Sequence, residues 1–339
     1  MTYRVTLIEG DGIGPEVTGA TCQILEAAGA PIEWEPVPAG LLAANTLGHP
    51  MPEEVLASLR RNRVGLKGPL ATPKGKGYRS ANVQLRQGLN LYTGWRPVRS
   101  LPNVPSRYRD VDVVVLRENT QGLYAGIEHA INPDTVVSLK VSSREAGLRI
   151  AKWAFAYAMR AGRRKITVCH KRAVLPMTDG AFVDAFFEVG KDYPFIVQEE
   201  RSLDNVCNHL ANDPSDFDVL LLENLYGDIL SDICAGLVGG LGVVPGANVG
   251  DRLAVFEAVH GTAPDIAGQG KANPLAVLLS GCLMLEYMGE SEIANHIRRA
   301  ILAVLEAGTC ITGDLGGDAS TQDFTHAIID ALAGARHAS

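Results

Sequence analysis

Two aspartates four residues apart, Asp228 and Asp232 in the run Asn224-Leu-Tyr-Gly-Asp228-Ile-Leu-Ser-Asp232, have the spacing in this chain that most directly suggests chemistry. On a helix that interval puts both carboxylates on one face, one turn apart. Like charges held so close repel unless a cation sits between them, and hard oxygen donors suit Mg²⁺ or Mn²⁺. The bland alternative makes Asp228 a partner of the helix dipole and Asp232 a solvated residue. The rest of the segment, Ile233 to Leu241, is apolar and glycine-rich and offers no polar stripe for that. Three arginines form a second group: Arg86 in LRQ, Arg96 in WRPVR and Arg117 in LRENT. Guanidinium grips carboxylate with two parallel hydrogen bonds, so three that converge would suit a multiply anionic small molecule; taken singly, each also reads as a surface residue. Lys171, after His170, follows the strand pattern Ile166 to Cys169, at the end of a strand where α/β proteins place ligands. It reads as a candidate base or as an ordinary surface lysine.

The run from Glu257 through His260 and Asp265 to Gly268 is a glycine-rich loop with no Lys or Arg before Lys271. A nucleotide loop of this kind can accept from ribose hydroxyls through Asp265 and would repel a 2′-phosphate, which favours NAD over NADP. Gly10, Gly12 and Gly14 follow a strand and open a helix, with Glu33 downstream, and so invite a Rossmann reading. Their spacing is G-x-G-x-G, not G-x-G-x-x-G, and a structural strand-to-helix turn is the better expectation.

These residues need elements to hold them. Strand patterns at Tyr3 to Ile8, Val64 to Leu66, Val111 to Leu116, Ile166 to Cys169, Phe195 to Val197 and Val219 to Leu222 are interleaved with helical ones at Glu16 to Ala28, Glu53 to Arg61, Arg144 to Arg160, Gly180 to Val189 and Leu203 to Leu210. That alternation predicts a largely parallel α/β system. Gly122 to Val141 breaks the rhythm as two β-like runs around Asn132-Pro133-Asp134, the pattern of a hairpin arm that reaches a partner subunit. Two long helical patterns, Pro274 to Met288 and Ser291 to Glu306, precede the turn-rich Thr312 to Ser320.

The 339 residues suggest two domains. A net charge of -7 argues against a nucleic-acid-coating surface, so any anion bound must be small and met by a local pocket. With no run of 18 apolar residues and no signal-peptide pattern, the expectation is a cytoplasmic protein with no membrane partner. The six cysteines are dispersed and form no C-x-x-C pair, which excludes a zinc knuckle and disfavours a disulfide framework.

Taken in order, GDGIGPE, LKGPLATP, RENTQGLYAGIEH, NLYGDILSD, GLVGGLG, HGTAPDIAG, ANP and DLGGDA resemble the isocitrate/isopropylmalate dehydrogenase family of β-decarboxylating dehydrogenases nearly end to end. The resemblance implies a two-domain, non-Rossmann α/β fold with a dimerisation arm, in which 1–98 and 251–339 form the large cofactor-binding domain and 99–250 the smaller one. It implies NAD on Thr72, Glu257, His260, Gly261, Thr262, Ala263, Asp265, Ile266, Asn273 and Asp314. Mg²⁺ or Mn²⁺ would be held by Asp228 and Asp232 of one protomer and Asp204 of its neighbour, and Tyr124 and Lys171 would be a catalytic pair from opposite protomers of a homodimer. Ser80, Asn82 and Arg86 match the isocitrate enzymes' Ser-x-Asn-x-x-x-Arg, where isopropylmalate enzymes present an apolar surface. The implied activity is NAD-dependent oxidative decarboxylation of isocitrate to 2-oxoglutarate and CO₂, with homoisocitrate, 3-isopropylmalate or a phosphonate analogue as other hydroxy-polycarboxylate substrates. A non-catalytic regulatory subunit of a hetero-oligomer is the alternative from another class. The chain departs from the family pattern at Trp95, Gln121, Arg172 and Ala173, and its loop Lys74 to Arg79 is basic.

Overall fold

The structure, a computed structural model, describes residues 2–72 and 79–336. Most of the basic loop, from Lys74 to Tyr78, lies outside the described residues. Among the described residues twelve strands are formed: β1 (Tyr3–Ile8), β2 (Ile32–Pro36), β3 (Val64–Lys67), β4 (Thr93–Arg99), β5 (Asp112–Glu118), β6 (Gly122–Asn132), β7 (Thr135–Val141), β8 (Lys165–His170), β9 (Val197–Ser202), β10 (Val219–Leu222), β11 (Pro245–Val249) and β12 (Ala254–Ala258). Ten of them make one sheet in the order β2-β1-β3-β12-β11-β4-β5-β10-β8-β9. Both ends are parallel, as the strand and helix alternation predicts, while the β12-β11-β4-β5 middle is antiparallel. The expectation of a largely parallel system is therefore corrected at the centre. There β11 and β12 are joined by four residues and can only turn back on each other.

The expected domain boundaries fall at the end of β4 and between β11 and β12. The sheet runs through both, and the largest apolar cluster includes Val5 and Leu7 from one side together with Leu220 and Leu230 from the other. Interior strands such as Asp112–Glu118 are buried on both faces, as a sheet covered by helices requires. The expected strand Phe195 to Val197 begins only at Val197 and continues through the polar Gln198 to Ser202. It is one of the sheet's two edge strands, where charged side chains face water and block further pairing.

The turn holding Gly10, Gly12 and Gly14 is structural. Gly10 and Gly12 have φ of 89° and 63°, and a Cβ on either would strike the backbone at Pro69 or Thr262. The Asp11 carboxylate accepts from the backbone N of Leu41 (2.9 Å) and Ala71 (2.8 Å), and Glu33 pairs with Arg4 at the surface. This arrangement braces three loops, the part that a structural strand-to-helix turn would play.

The expected arm is a separate two-stranded ribbon, β6 against β7, turned where the Asp134 N–H donates to the Asn132 side chain. Its residues Ile131 and Val136 are 61% and 64% exposed, with Ile127 and Leu139 close behind. An isolated ribbon is marginal in water, and exposed apolar side chains on one call for a covering surface.

Candidate active site

Strand register assembles a row of charges at one end of the sheet. Lys67 ends β3 beside Glu257 of β12. Across the antiparallel middle, Asn248 faces Gly94, and Gly94 faces Arg117. All of these side chains are buried. Glu257 receives Lys67 Nζ at 2.7 Å, Arg86 Nη2 at 3.2 Å and Asn248 Nδ2 at 2.5 Å, with Arg96 Nη2 at 3.7 Å. Burial alone would raise the Glu257 carboxyl, but the Lys67, Arg86 and Arg96 cations hold it well below the usual carboxylate range. Arg96 is 3% exposed, and its Nε and Nη1 donate to nothing in the described structure. Gly246 leaves the space in which that guanidinium lies, since a Cβ there would strike Arg96 Nη1.

Arg117 joins this group to the expected metal residues. Its Nε donates to Asn224 Oδ1 at 3.0 Å, Nη2 donates to the same oxygen at 2.6 Å, and Nη1 pairs with Asp228. Burial lowers Arg117 to about 10, which leaves it a cation at neutral pH. The Tyr124 hydroxyl donates to the other Asp228 oxygen, and the Arg117 guanidinium lies 4.9 Å from the Tyr124 ring centre. Burial first and the hydrogen bond to Asp228 second raise the Tyr124 phenol, so it keeps its proton at neutral pH. Both aspartates lie on the helix Asn224–Leu237, whose Leu230, Cys234 and Leu237 are buried. Burial and then the Asp228 charge raise the Asp232 carboxyl, opposed by Arg96 and Arg117. Arg86, Arg96, Arg117, Tyr124, Asp228 and Asp232 are thus brought together.

Close packing sets this geometry. A methyl on Gly227 would lie 2.6 Å from Arg117 Cγ, so the helix rests directly on β5. Gly227→Ala is expected to lower stability by about 1–3 kcal/mol and to part Asp228 from Arg117. A thermal unfolding midpoint equal to that of the unaltered chain would contradict it.

Lys171 and Asp204 stand elsewhere, paired at 2.8 Å in the open, and the Lys171 ammonium holds the Asp204 carboxyl below its ordinary range. Within one chain, no three His, Cys, Asp or Glu side chains among the described residues gather as a metal cluster. The donor set fits a divalent cation in chemical type, since Asp228 and Asp232 are hard carboxylate donors and Asp228 already attracts a guanidinium.

A cleft of about 460 Å³, whose His260 feels the charges of Lys67 and Glu257, is lined by Ile13, Gly242, His260, Ile266, Asn273 and Asp314, together with Lys271 and Asp318. Four expected cofactor residues are therefore in it: His260, Ile266, Asn273 and Asp314. Asn273 Nδ2 donates to Asp314 at 2.9 Å, and His260 Nε2 is buried without a partner. The orphaned imidazole nitrogen and the volume fit a bound nucleotide. Thr72, Gly261, Thr262, Ala263 and Asp265 do not line this cleft. Thr72 accepts from the Ala81 N–H, Thr262 braces Gly12, and Asp265 faces solvent. Glu257, also among the expected cofactor residues, is set against Lys67 by strand register and lies as a counter-ion among the arginines. Ser80 precedes the helix Ala81–Gly88, and Asn82 Oδ1 there is buried without a partner.

Sequence reasoning missed Lys67, Asn224 and Asn248. A lysine closing an apolar strand was the available signal for Lys67. The departures from the family pattern have local explanations. Gln121 exchanges hydrogen bonds with Ser143 at 2.8 Å, Arg172 pairs with Glu200 at 3.2 Å, and Trp95 packs on Trp153 and Tyr157. Nothing in the structure explains Ala173.

Known proteins share this sequence and this fold. The family model described as isocitrate/isopropylmalate dehydrogenase matches residues 4–328. Isocitrate dehydrogenase [NAD] catalytic subunit 5, mitochondrial, from Arabidopsis thaliana is 49% identical over 96% of this chain and 88% of its own length. A regulatory subunit of the mitochondrial NAD isocitrate dehydrogenase from Dictyostelium discoideum is 47% identical over 96% and 91%. The chloroplastic 3-isopropylmalate dehydrogenase of Solanum tuberosum is 48% identical over 90% and 86%. A crystal structure of isocitrate dehydrogenase from Methylococcus capsulatus superposes with a TM-score of 0.94 at 45% identity, covering 98% of this chain and 99% of that one. The mitochondrial and chloroplastic names belong to those relatives and differ from the cytoplasmic expectation. Among the described residues no helix is long and apolar enough to cross a membrane. Matched along nearly its whole length in sequence and in fold, the chain belongs to the isocitrate/isopropylmalate dehydrogenase family of β-decarboxylating dehydrogenases.

Proposed function

We propose that this chain oxidises isocitrate with NAD and releases its β-carboxylate as CO₂, working as a homodimer with shared active sites. The observation that carries this reading is the buried Arg96, two of whose donor nitrogens lack a partner, beside Arg86 and Arg117. Unsatisfied buried cations of this kind call for a multiply anionic ligand. The Asn82 amide and the Ser80 hydroxyl carry donors that suit a γ-carboxylate, which favours isocitrate over an alkyl-bearing analogue that would leave those donors unpaired.

A divalent cation, Mg²⁺ or Mn²⁺, would be held by Asp228 and Asp232 with Asp204 of the partner subunit. When bound, it supplies the Lewis acidity that makes the substrate hydroxyl easier to deprotonate. NAD, in the cleft of His260 and Asn273, supplies the acceptor for the C2 hydride. Asp314 and Asp318 face that cleft with Lys271 its one lining cation among the described residues, a balance that suits a ribose hydroxyl better than a 2′-phosphate. The three arginines orient the carboxylates, so that the reacting bonds are held in place. The amine of Lys171 of the partner subunit, acting in its unprotonated form, takes up the hydroxyl proton as the C2–H pair leaves. When the C–CO₂ bond breaks, its electrons pass toward the new carbonyl, and Tyr124 Oη returns a proton to carbon. The exposed apolar ribbon β6-β7 supports a second copy as the covering partner.

The regulatory alternative draws on the Dictyostelium relative. Against it, Tyr124, Lys171, Asp204, Asp228 and Asp232 are all present. Purified chain should alone reduce NAD, with isocitrate ahead of homoisocitrate, 3-isopropylmalate, tartrate and a phosphonate analogue. Chelation should abolish the rate and Mg²⁺ or Mn²⁺ restore it. Equal rates with 3-isopropylmalate would overturn the substrate, equal rates with NADP the cofactor, and no turnover at all would favour the regulatory role.

A further inference from the structure

One buried group of charges is used by none of the steps above. Lys140, in β7, pairs with both Asp179 and Glu223, and its ammonium lies 4.7 Å from the centre of the Tyr226 ring. Asp179 is fully buried and Glu223 nearly so, so two carboxylates share one cation away from water. Buried ions persist only where their partners are fixed, because an unpaired one is costly.

Each member is attached to a different part of the proposed chemistry. The second oxygen of Asp179 accepts from the backbone N–H of Lys171 at 2.7 Å. Glu223 is the residue immediately before the helix Asn224–Leu237, which carries Asp228 and Asp232, and its carbonyl accepts from the Gly227 N–H at 2.8 Å. Val141, next to Lys140, pairs with Gly122 at the base of the ribbon that carries Tyr124. A single ammonium therefore touches the supports of all three.

We propose that Lys140 is a positioning residue: through Asp179 and Glu223 it ties together, within one chain, the groups which that chain gives to two different active sites. Tyr124, Asp228 and Asp232 serve one site and Lys171 the other. This rests on the shared-site reading above. A shift at either place is then felt at the other, which is a physical link between the two sites of a dimer.

The test begins by mixing Lys171→Met chains with Tyr124→Phe chains. A mixed dimer has one site with both native residues and one with neither, so recovered turnover reports sharing. No recovery refutes the shared-site reading and the two-site link with it. Lys140→Met is then added to either chain of the pair. Both placements should lower kcat of the surviving site by about tenfold or more while KM for NAD stays unchanged, and Lys140→Arg, which keeps the cation, should restore most of the rate. If only one placement slows the site, or neither does, the link is overturned. Should Lys140→Met fail to fold, Lys140→Met/Glu223→Gln removes one of the two carboxylates and serves in its place. Amide hydrogen exchange on the unliganded dimer gives a readout that needs no turnover. The Lys171 amide should exchange faster in Lys140→Met and not in Lys140→Arg, and unchanged protection would overturn the positioning role.

Discussion

Glu257→Gln is expected to lower the stability of the fold by about 3–5 kcal/mol and to remove most turnover, although Glu257 itself need never touch substrate. The amide keeps the shape but not the charge. Lys67, Arg86 and Arg96 would then lose the anion they share, in a place where water cannot replace it. Repulsion among three buried cations would displace the two guanidiniums that grip the substrate, so KM for the acid should rise along with the loss of stability. Denaturant unfolding should show a lower midpoint at unchanged slope.

The pH dependence has a definite sign. Glu257 has a folded value depressed well below its ordinary 4.5. Its contribution is present at pH above that ordinary value and is lost as pH falls from there through the folded value. The unaltered protein should therefore weaken on acidification in that window, and Glu257→Gln should lack this part of the slope. Equal midpoints and equal acid profiles would show that the network contributes nothing to stability.

Glu257 also marks the limit of what the chain reveals before it folds. The three arginines were legible as anion-binding types, but their convergence depends on β12 pairing with β3 and on the antiparallel β11 and β4. Those middle strands were hard to see, because Gly94, Pro97, Pro245 and Gly246 interrupt the pattern that marks a strand. The interruption has a use, since a side chain at Gly246 would occupy the space of the Arg96 guanidinium. Asp228 and Asp232 were legible from spacing alone, because i and i+4 on a helix need no tertiary information. The hairpin was legible from its turn residues. Lys140 was not, because in a ribbon with exposed alternating residues it resembles any solvated lysine, and only the buried Asp179 and Glu223 show otherwise.

Removing each half of the Tyr124 and Lys171 pair should produce losses that differ in kind. Lys171→Met should lower isocitrate oxidation by about 10²–10⁴-fold, because the hydroxyl proton then has no side chain to receive it as hydride leaves. Decarboxylation of the 2-oxo acid, supplied directly, needs no base at that oxygen and should survive much better. Tyr124→Phe should lower the second step by a comparable factor. The phenol is held protonated by burial and by Asp228, which suits it to donating a proton to carbon and not to removing one from oxygen. Phenylalanine also removes one of the two groups now on the Asp228 carboxylate, so the half-saturating Mg²⁺ concentration should fall or stay level as the rate falls. A rise in that concentration would mean that the phenol helps to place the metal carboxylate, whereas full retention of both steps in either variant would remove that residue from the mechanism. The two assays need one preparation of each variant, and they separate a proton acceptor from a proton donor because the reaction uses the two at different atoms.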